Sequence, residues 1–209
     1  MSMKKHLLVF AAINLVAVGL YAGPLKIVDV NFPQINCLFS PNCTVVVDDS
    51  TTPITFIGAT GSGFLQTRTF RGLTNAPLSG LYSYAYRIDL RNIHSTSTND
   101  YIDSLRVNSG PVVPFTYNGQ NSNMVWVATA GGIGSVAPSS ALQLGNNITF
   151  KFNPPIYAGA SSANGQSSFF FGVISSHPPT NNIANVTGFQ GSAPTIPLNP
   201  NLPDRSPAY

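Results

Sequence analysis

Residues 81–92, LYSYAYRIDLRN, carry the feature that most constrains the fold of this chain. Apolar side chains fall on every second residue, with polar or small ones between them. The apolar set is Tyr82, Tyr84, Tyr86, Ile88 and Leu90, and the opposite set is Ser83, Ala85, Arg87, Asp89 and Arg91. Successive side chains of a strand point to opposite faces, whereas a helix repeats about every 3.6 residues. The stretch therefore predicts a strand with one buried face, in which the tyrosines pack in the core.

A second alternating stretch, NITFKFN at 147–153, follows a Gly-Asn pair that is typical of a tight turn, so 141–153 is predicted to form a hairpin. SFFFGVI at 168–174 is apolar on both faces, which predicts a central strand covered on each side or an element that faces a partner. Less regular candidate strands are 26–32, 44–48, 53–57, 63–71, 101–107, 112–117, 124–129, 167–175 and 183–189.

The composition agrees with short strands joined by turns. Only 8% of the residues are charged and glutamate is absent, so the chain lacks the side chains that usually cover the solvent face of a long helix. Thr, Val, Ile, Phe, Tyr, Ser and Asn dominate instead. We expect an all-β fold, specifically a two-sheet antiparallel β-sandwich, with a jelly roll as one form of it and a barrel as the alternative.

The first 22 residues resemble a secretory leader. Lys4 and Lys5 precede the apolar run LLVFAAINLVAVGLYA at 7–22, which is shorter than the roughly 20 residues of a membrane-spanning helix. We expect a signal peptide over 1–22 with cleavage after Ala22, an uncleaved anchor being the alternative. The domain prediction is a β-sandwich over 23–190 and a Pro-rich extended tail over 191–209. The expected location is secreted, extracellular or periplasmic, with no membrane span after cleavage.

Loss of the leader changes the charge argument. The whole chain has 10 basic and 7 acidic residues, so removal of Lys4 and Lys5 leaves eight basic residues against seven acidic ones. The remaining arginines are spread over several predicted strands rather than clustered. A nucleic-acid partner would require a basic face, so we expect none.

Cys37 and Cys43 are the two cysteines of the chain. A zinc site would have to recruit His94 or His177, whose spacing matches no zinc module, and a thiol nucleophile would need one of the same histidines as its base. In an exported chain, two cysteines separated by a short loop containing Pro and Asn are best explained as a disulfide.

Two acidic clusters remain as candidate sites, Asp48 with Asp49 and Asp100 with Asp103. Carboxylates in such loops could bind calcium, the one cofactor considered, or could act in pairs as the carboxylates of a glycosidase. The favoured interpretation is a solvated turn in each case, because Asp, Asn and Ser bond their own backbone in turns. No catalytic residue, metal ligand or other cofactor is assigned.

The aromatic and histidine residues are interpreted as structural. Trp126 alternates with Val125 and Val127, which favours a core position over an exposed platform for a ligand. His94 and His177 lie next to Ser or Pro and are expected in loops. The ligand-binding residues are left unassigned.

The segment 141–179, together with LYSYAYRIDLRN upstream, resembles uncharacterised exported bacterial β-sandwich proteins, including those of the PEP-CTERM-associated type. The likeness covers about 80–190 and lies in strand texture, so it implies no site residue. It implies a cell-surface location and an association with extracellular polysaccharide. The chain departs from that type because it ends in Pro-Ala-Tyr without the sorting tail.

Three functional hypotheses follow. The first is a secreted, non-catalytic surface or extracellular-matrix protein that acts by binding, with polysaccharide or other surface proteins as partners, or by assembly. The second is an exported Asp-dependent hydrolase acting on glycans. The third is a fimbrial-type structural subunit that completes its fold with a neighbour's strand. The absence of a catalytic signature favours the first.

Overall fold

The computed structural model describes residues 23–96, 100–180, 182–189 and 201–202. The predicted leader and nearly all of the predicted Pro-rich tail lie outside these residues. The elements are β1 (Gly23–Pro24), β2 (Ile27–Asn31), α1 (Phe32–Asn36), β3 (Asp48–Ile54), β4 (Thr60–Gly61), β5 (Gly63–Arg71), β6 (Tyr82–Asp89), β7 (Ile93–Ser95), β8 (Tyr101–Asn108), β9 (Phe115–Tyr117), β10 (Gln120–Asn123), β11 (Val125–Ala130), β12 (Ser140–Leu144), β13 (Asn147–Tyr157), β14 (Gly159–Ala160), β15 (Phe171–Ser175), β16 (Asn182–Ile183), β17 (Asn185–Phe189) and β18 (Asn201–Leu202).

Two larger sheets form the body of the fold. Sheet A has five strands in the order β1-β12-β13-β8-β17, and sheet B has six in the order β2-β11-β15-β6-β5-β3. All neighbouring strands in them are antiparallel except β2 and β11, which pair in parallel. The predicted all-β, sandwich-like fold is confirmed, and the parallel pair makes sheet B mixed. Three smaller sheets, β14-β7-β4, β9-β10 and β16-β18, complete the topology.

The main core lies between the two sheets. Sheet B contributes Leu65, Tyr86 and Ile88 to it, and sheet A contributes Leu105 and Phe150, all at most 4% exposed. These residues alternate along their strands with residues of the opposite face, as the period of two predicts. The 141–153 hairpin is confirmed as β12 and β13, which are joined at Gly145 and Asn146.

A second core covers the outer face of sheet B. Trp126, Phe170 and Ala85 point away from sheet A and pack with Ile35 and Phe39 of the segment that follows β2. The side chain of Trp126 is fully buried, so its predicted core position is confirmed. The predicted central strand within 167–175 is also confirmed, because β15 sends alternate residues into the two cores.

This second layer corrects one expectation. The alternation at 81–92 predicts a strand with one buried face, but every residue of β6 after Tyr82 is buried. Even Arg87 and Asp89 are each 3% exposed. The reason is tertiary, since β6 is an inner strand of a sheet covered on both sides.

The predicted disulfide lies in the segment after β2, which covers the outer face of sheet B. Cys37 and Cys43 are bonded, with their Cα atoms 4.0 Å apart. The loop between them is closed by a backbone bond from Cys43 N–H to the Ser40 carbonyl, 3.0 Å. Because Phe39 within this loop is fully buried, the disulfide fixes part of the layer over sheet B.

The expected turn at Asp48–Asp49 is also wrong. These residues do not form a turn between strands at 44–48 and 53–57, because β3 runs through them. β3 is an edge strand of sheet B, and its side chains alternate between partly buried and exposed. Nearly all of them are polar, which suits a sheet edge. His94 likewise lies in a strand, β7, rather than in a loop.

Candidate functional site

A polar pocket of about 250 Å³ opens at one end of the sandwich. It lies where β8 and β15 end and where the β12–β13 turn meets them. The lining residues are Tyr84, Asn108, Ser109, Gly110, Asn146, His177, Pro178 and Thr180. Loops at the end of a rigid sandwich are a usual position for a binding site, because the strands hold them in place.

Ser109 is the buried polar residue of this pocket. It is 3% exposed, and its hydroxyl oxygen has no hydrogen-bond partner among the described residues. Its backbone N–H donates to the Asn146 carbonyl, 3.2 Å, so the β12–β13 turn fixes its position. Buried hydroxyls are nearly always hydrogen-bonded in native proteins, so the Ser109 hydroxyl lacks a partner that most buried hydroxyls have.

Two hydrogen bonds hold the segment after β15 at the pocket. Tyr84 Oη donates to the His177 carbonyl, 2.7 Å, and the His177 N–H donates to Ser175 Oγ, 3.1 Å. The imidazole packs directly against Gly110, where a Cβ atom would overlap Nδ1. Gly110 also has a φ of +72°, a left-handed conformation that favours glycine. Close approach and backbone geometry both require glycine at this position.

The lining is hydrogen-bonding and carries no carboxylate. Its residues carry hydroxyl groups (Tyr84, Ser109 and Thr180), amides (Asn108 and Asn146) and one imidazole (His177). Hydroxyls and amides both donate and accept, so together they match a ligand rich in hydroxyl groups. The volume is below the ~300–1,000 Å³ of pockets for drug-sized ligands, which suits a single sugar-sized group.

The acidic residues from the sequence are engaged elsewhere. Asp49 accepts hydrogen bonds from Gln66 Nε2, 2.8 and 3.0 Å, and from Arg68 Nε, 3.1 Å. Asp100 is 3% exposed and its carboxylate accepts a bond from the Ser95 hydroxyl. Asp103 accepts a bond from Ser104 Oγ, 3.1 Å.

The structure separates these two acidic clusters. Asp48 and Asp49 lie in β3 of sheet B, whereas Asp103 lies in β8 of sheet A. Within the described ranges, no three His, Cys, Asp or Glu side chains are grouped so that they could hold a metal ion.

A buried ion cluster lies on the outer face of sheet B. Arg87 Nη2 donates to Asp89 Oδ2, 2.5 Å, and Arg91 Nη2 donates to the same oxygen, 2.6 Å. Arg68 stacks over the Phe170 ring, with its guanidinium carbon 4.4 Å from the ring centroid. Burial lowers the pKa of Arg87. Burial alone would raise the pKa of Asp89, but hydrogen bonds from Arg91 and the charge of Arg87 lower it below its ordinary value.

The tyrosines of β6 face the main core, as predicted. Tyr84 and Tyr86 are 8% and 4% exposed. Burial raises the pKa of Tyr86, and neighbouring Tyr84 adds to this effect. Only the hydroxyl of Tyr84 reaches the pocket, so the tyrosine ladder contributes one polar group to the candidate site.

The residues of the pocket are not apparent from the sequence. No motif assigns a role to Ser109, Asn108 or Asn146, and His177 reads as an ordinary loop residue. The local signal is the clustering of Asn, Ser and Gly directly after a strand, but such clusters also mark plain turns. The residues come from distant parts of the chain, so only the fold brings them together.

No helix within the described part of the chain has the length and apolar character needed to cross a membrane. No protein-family model matches the chain, no curated protein matches its sequence, and no solved structure matches its fold.

Proposed function

We propose that this chain is an exported, non-catalytic protein of the cell surface or extracellular matrix that binds polysaccharide through the pocket at the end of its sandwich. The observation that carries the proposal is the unpartnered hydroxyl of Ser109, buried in a lining of neutral hydrogen-bonding groups. A sugar unit in the pocket would supply the missing partner after the Ser109 side chain rotates about χ1 to face it.

The energetics favour a hydroxyl-bearing ligand. Leaving a buried polar group unsatisfied costs about 1–3 kcal/mol, and a ligand that bonds it recovers part of this cost. The amides of Asn108 and Asn146 and the imidazole of His177 stand around the same space. A flat apolar ligand would leave these groups unpaired, so the lining selects for hydroxyl-rich compounds.

Two further features support export. The first 22 residues have the charge and apolar pattern of a signal peptide, and the described domain contains a disulfide. Disulfides persist in oxidising compartments. A location outside the cytoplasm would bring the pocket into contact with extracellular glycans.

The pocket favours binding over the alternatives. A hydrolase would need two carboxyl groups roughly 5–9 Å apart across a cleft. None of Asp48, Asp49, Asp100 and Asp103 lines the pocket, so the pocket offers no such pair. Assembly, including that of a fimbrial-type subunit, is the outcome that the test below distinguishes from binding.

The test is a glycan array followed by calorimetry with the best-bound oligosaccharide. Asn146→Trp places a large ring in the exposed turn at the rim and should abolish binding without disturbing the core. Ser109→Ala removes one hydrogen bond and should weaken binding about 2- to 10-fold. Ser162→Ala is the matched control, because it removes an exposed hydroxyl far from the pocket. Ser162 lies in the 161–165 turn, where the Gly165 N–H donates to the Arg91 carbonyl. Arg91 follows the C-terminal end of β6, whereas Tyr84 of the pocket lies near its N-terminal end.

Absence of binding to any glycan, or equal binding by wild type and Asn146→Trp, would overturn the proposal. Ordered filaments seen by electron microscopy, together with no response on the array, would support assembly instead.

A further inference from the structure

The outer face of sheet A is the sandwich face without a second covering layer among the described residues. Along β12, β13, β8 and β17 the alternate residues Ala141, Phe150, Leu105 and Val186 enter the main core. Their neighbours therefore point outward. These neighbours form three rows across the sheet, namely Ser140, Lys151, Ser104 and Thr187; Leu142, Thr149, Arg106 and Asn185; and Leu144, Asn147 and Asn108.

The three rows contain two cationic side chains. The rows contain Arg106 and Lys151 and no acidic residue. Both side chains are exposed, and neither forms a salt bridge with any described residue. Asp103, the neighbouring carboxylate along β8, accepts its bond from Ser104. Arg106, Lys151 and Asp103 are thus all outside the ion pairs of the described residues, and the two cations are free to bind an anionic group.

The two cations are close to each other. Arg106 pairs with Thr149, and Lys151 is two residues further along the same strand. Such diagonal neighbours on adjacent strands lie about 7–8 Å apart. Like charges at this distance repel, so an anionic group between them would be stabilised by both.

The face is continuous with the pocket. Asn108 lines the pocket and lies two residues after Arg106 on the same side of β8. A strand rises about 3.3 Å per residue, so Asn108, Arg106 and Lys151 mark a path with steps of about 7 Å. An extended chain whose end occupies the pocket would pass over the two cations.

We propose that the polysaccharide is anionic and that its carboxylate-bearing units lie on Arg106 and Lys151, while a neutral hydroxyl-rich part of the same chain fills the pocket. This inference rests on the proposed function and adds the charge of the ligand. Guanidinium binds carboxylate in a bidentate geometry, and Lys supplies a point charge beside it.

The test compares two matched probes, an oligogalacturonate and its methyl ester, in which the carboxylates are neutralised. Wild-type protein should bind the carboxylated oligomer about five- to tenfold more tightly at low salt, and the preference should shrink as salt screens the exposed charges. Arg106→Gln and Lys151→Gln should each lower the affinity for the carboxylated oligomer about threefold and leave the affinity for the ester unchanged.

Lys26→Gln is the matched control. It removes one exposed positive charge beside the edge strand β2 of sheet B and should not change either affinity. Equal affinity of wild-type protein for the two probes would overturn the anionic assignment and leave the pocket proposal standing. Loss of affinity for both probes in Arg106→Gln would also overturn it. Binding of neither probe, together with an empty glycan array, would overturn both proposals.

Discussion

Tyr84 and His177 are joined by a hydrogen bond from the tyrosine Oη to the histidine carbonyl, 2.7 Å, although they are 93 positions apart in the sequence. This bond ties an inner strand of sheet B to the segment that follows β15. It therefore connects the rigid core to the rim of the candidate binding pocket.

Tyr84→Phe should loosen that rim. Loss of one partly buried hydrogen bond costs about 0.5–1.5 kcal/mol, so the urea midpoint should fall modestly while glycan affinity falls as well. Tyr157→Phe serves as the control, because Tyr157 is 38% exposed and lies on β13, outside the pocket. Unchanged affinity in Tyr84→Phe would show that the 177–180 segment keeps its position without the bond.

Gly110→Ala should be more damaging than an ordinary glycine substitution. Gly110 has a φ of +72°, and a Cβ atom there would strike the His177 ring. Gly119 has nearly the same φ, +75°, but a Cβ atom added there would meet nothing within 4 Å. Gly119→Ala therefore reports the backbone strain alone, about 1–3 kcal/mol. A larger loss of stability in Gly110→Ala, measured by denaturant unfolding, is the expected result, and equal losses would refute the contact.

Asp89→Asn should strongly destabilise the fold, because Arg87 would keep a buried charge without its carboxylate. Removal of one partner from a buried ion pair costs about 3–5 kcal/mol. Asp29→Asn, at an exposed position on β2, is the matched control. The melting temperature of Asp89→Asn should lie clearly below that of Asp29→Asn. Similar melting temperatures would contradict the importance of the ion cluster for stability.

The pH dependence of stability provides a separate check on Asp89. Its folded pKa is lowered, so its contribution is fully present above the unfolded value of about 3.9 and is lost as pH falls through the folded value. Wild-type stability should therefore decline as pH falls below about 4, and Asp89→Asn should lack this part of the decline. Parallel pH profiles for wild type and variant would count against the assigned shift.

Reduction of Cys37–Cys43 should destabilise the layer over sheet B. Closing so short a loop restricts the unfolded chain by about 2 kcal/mol on the loop-entropy model. The double variant Cys37→Ser with Cys43→Ser should show the same lowered midpoint with or without a thiol reductant, whereas wild type should respond to the reductant. Because Phe39 in this loop packs edge-to-face on Phe70, the expected loss lies in the second core.

Local pattern is sufficient to predict part of the fold. The alternation at 81–92 and the turn at Gly145–Asn146 are short-range signals, and both correspond to observed elements. The strand character of Asp48–Asp49 is not visible locally, because it depends on Arg68 and Gln66 across the sheet. The burial of Arg87 depends equally on distant residues, since the covering layer comes from another part of the chain.

The candidate site is even less accessible to sequence reasoning. Ser109, Asn146 and His177 are separated by more than thirty residues at each step, and each lies in a stretch that reads as an ordinary turn. The unpartnered state of the Ser109 hydroxyl is a property of packing. No periodicity or motif in the sequence predicts this unpartnered hydroxyl.

The most direct test of the proposed binding site is an NMR titration of the ¹⁵N-labelled protein with the oligosaccharide that binds best on the array. We expect saturable shifts of the backbone amides of Ser109, Gly110, Asn146 and His177, with little change in the second core around Trp126. Shifts confined to another surface, or no shifts at saturating oligosaccharide, would contradict the claim that this pocket is the binding site.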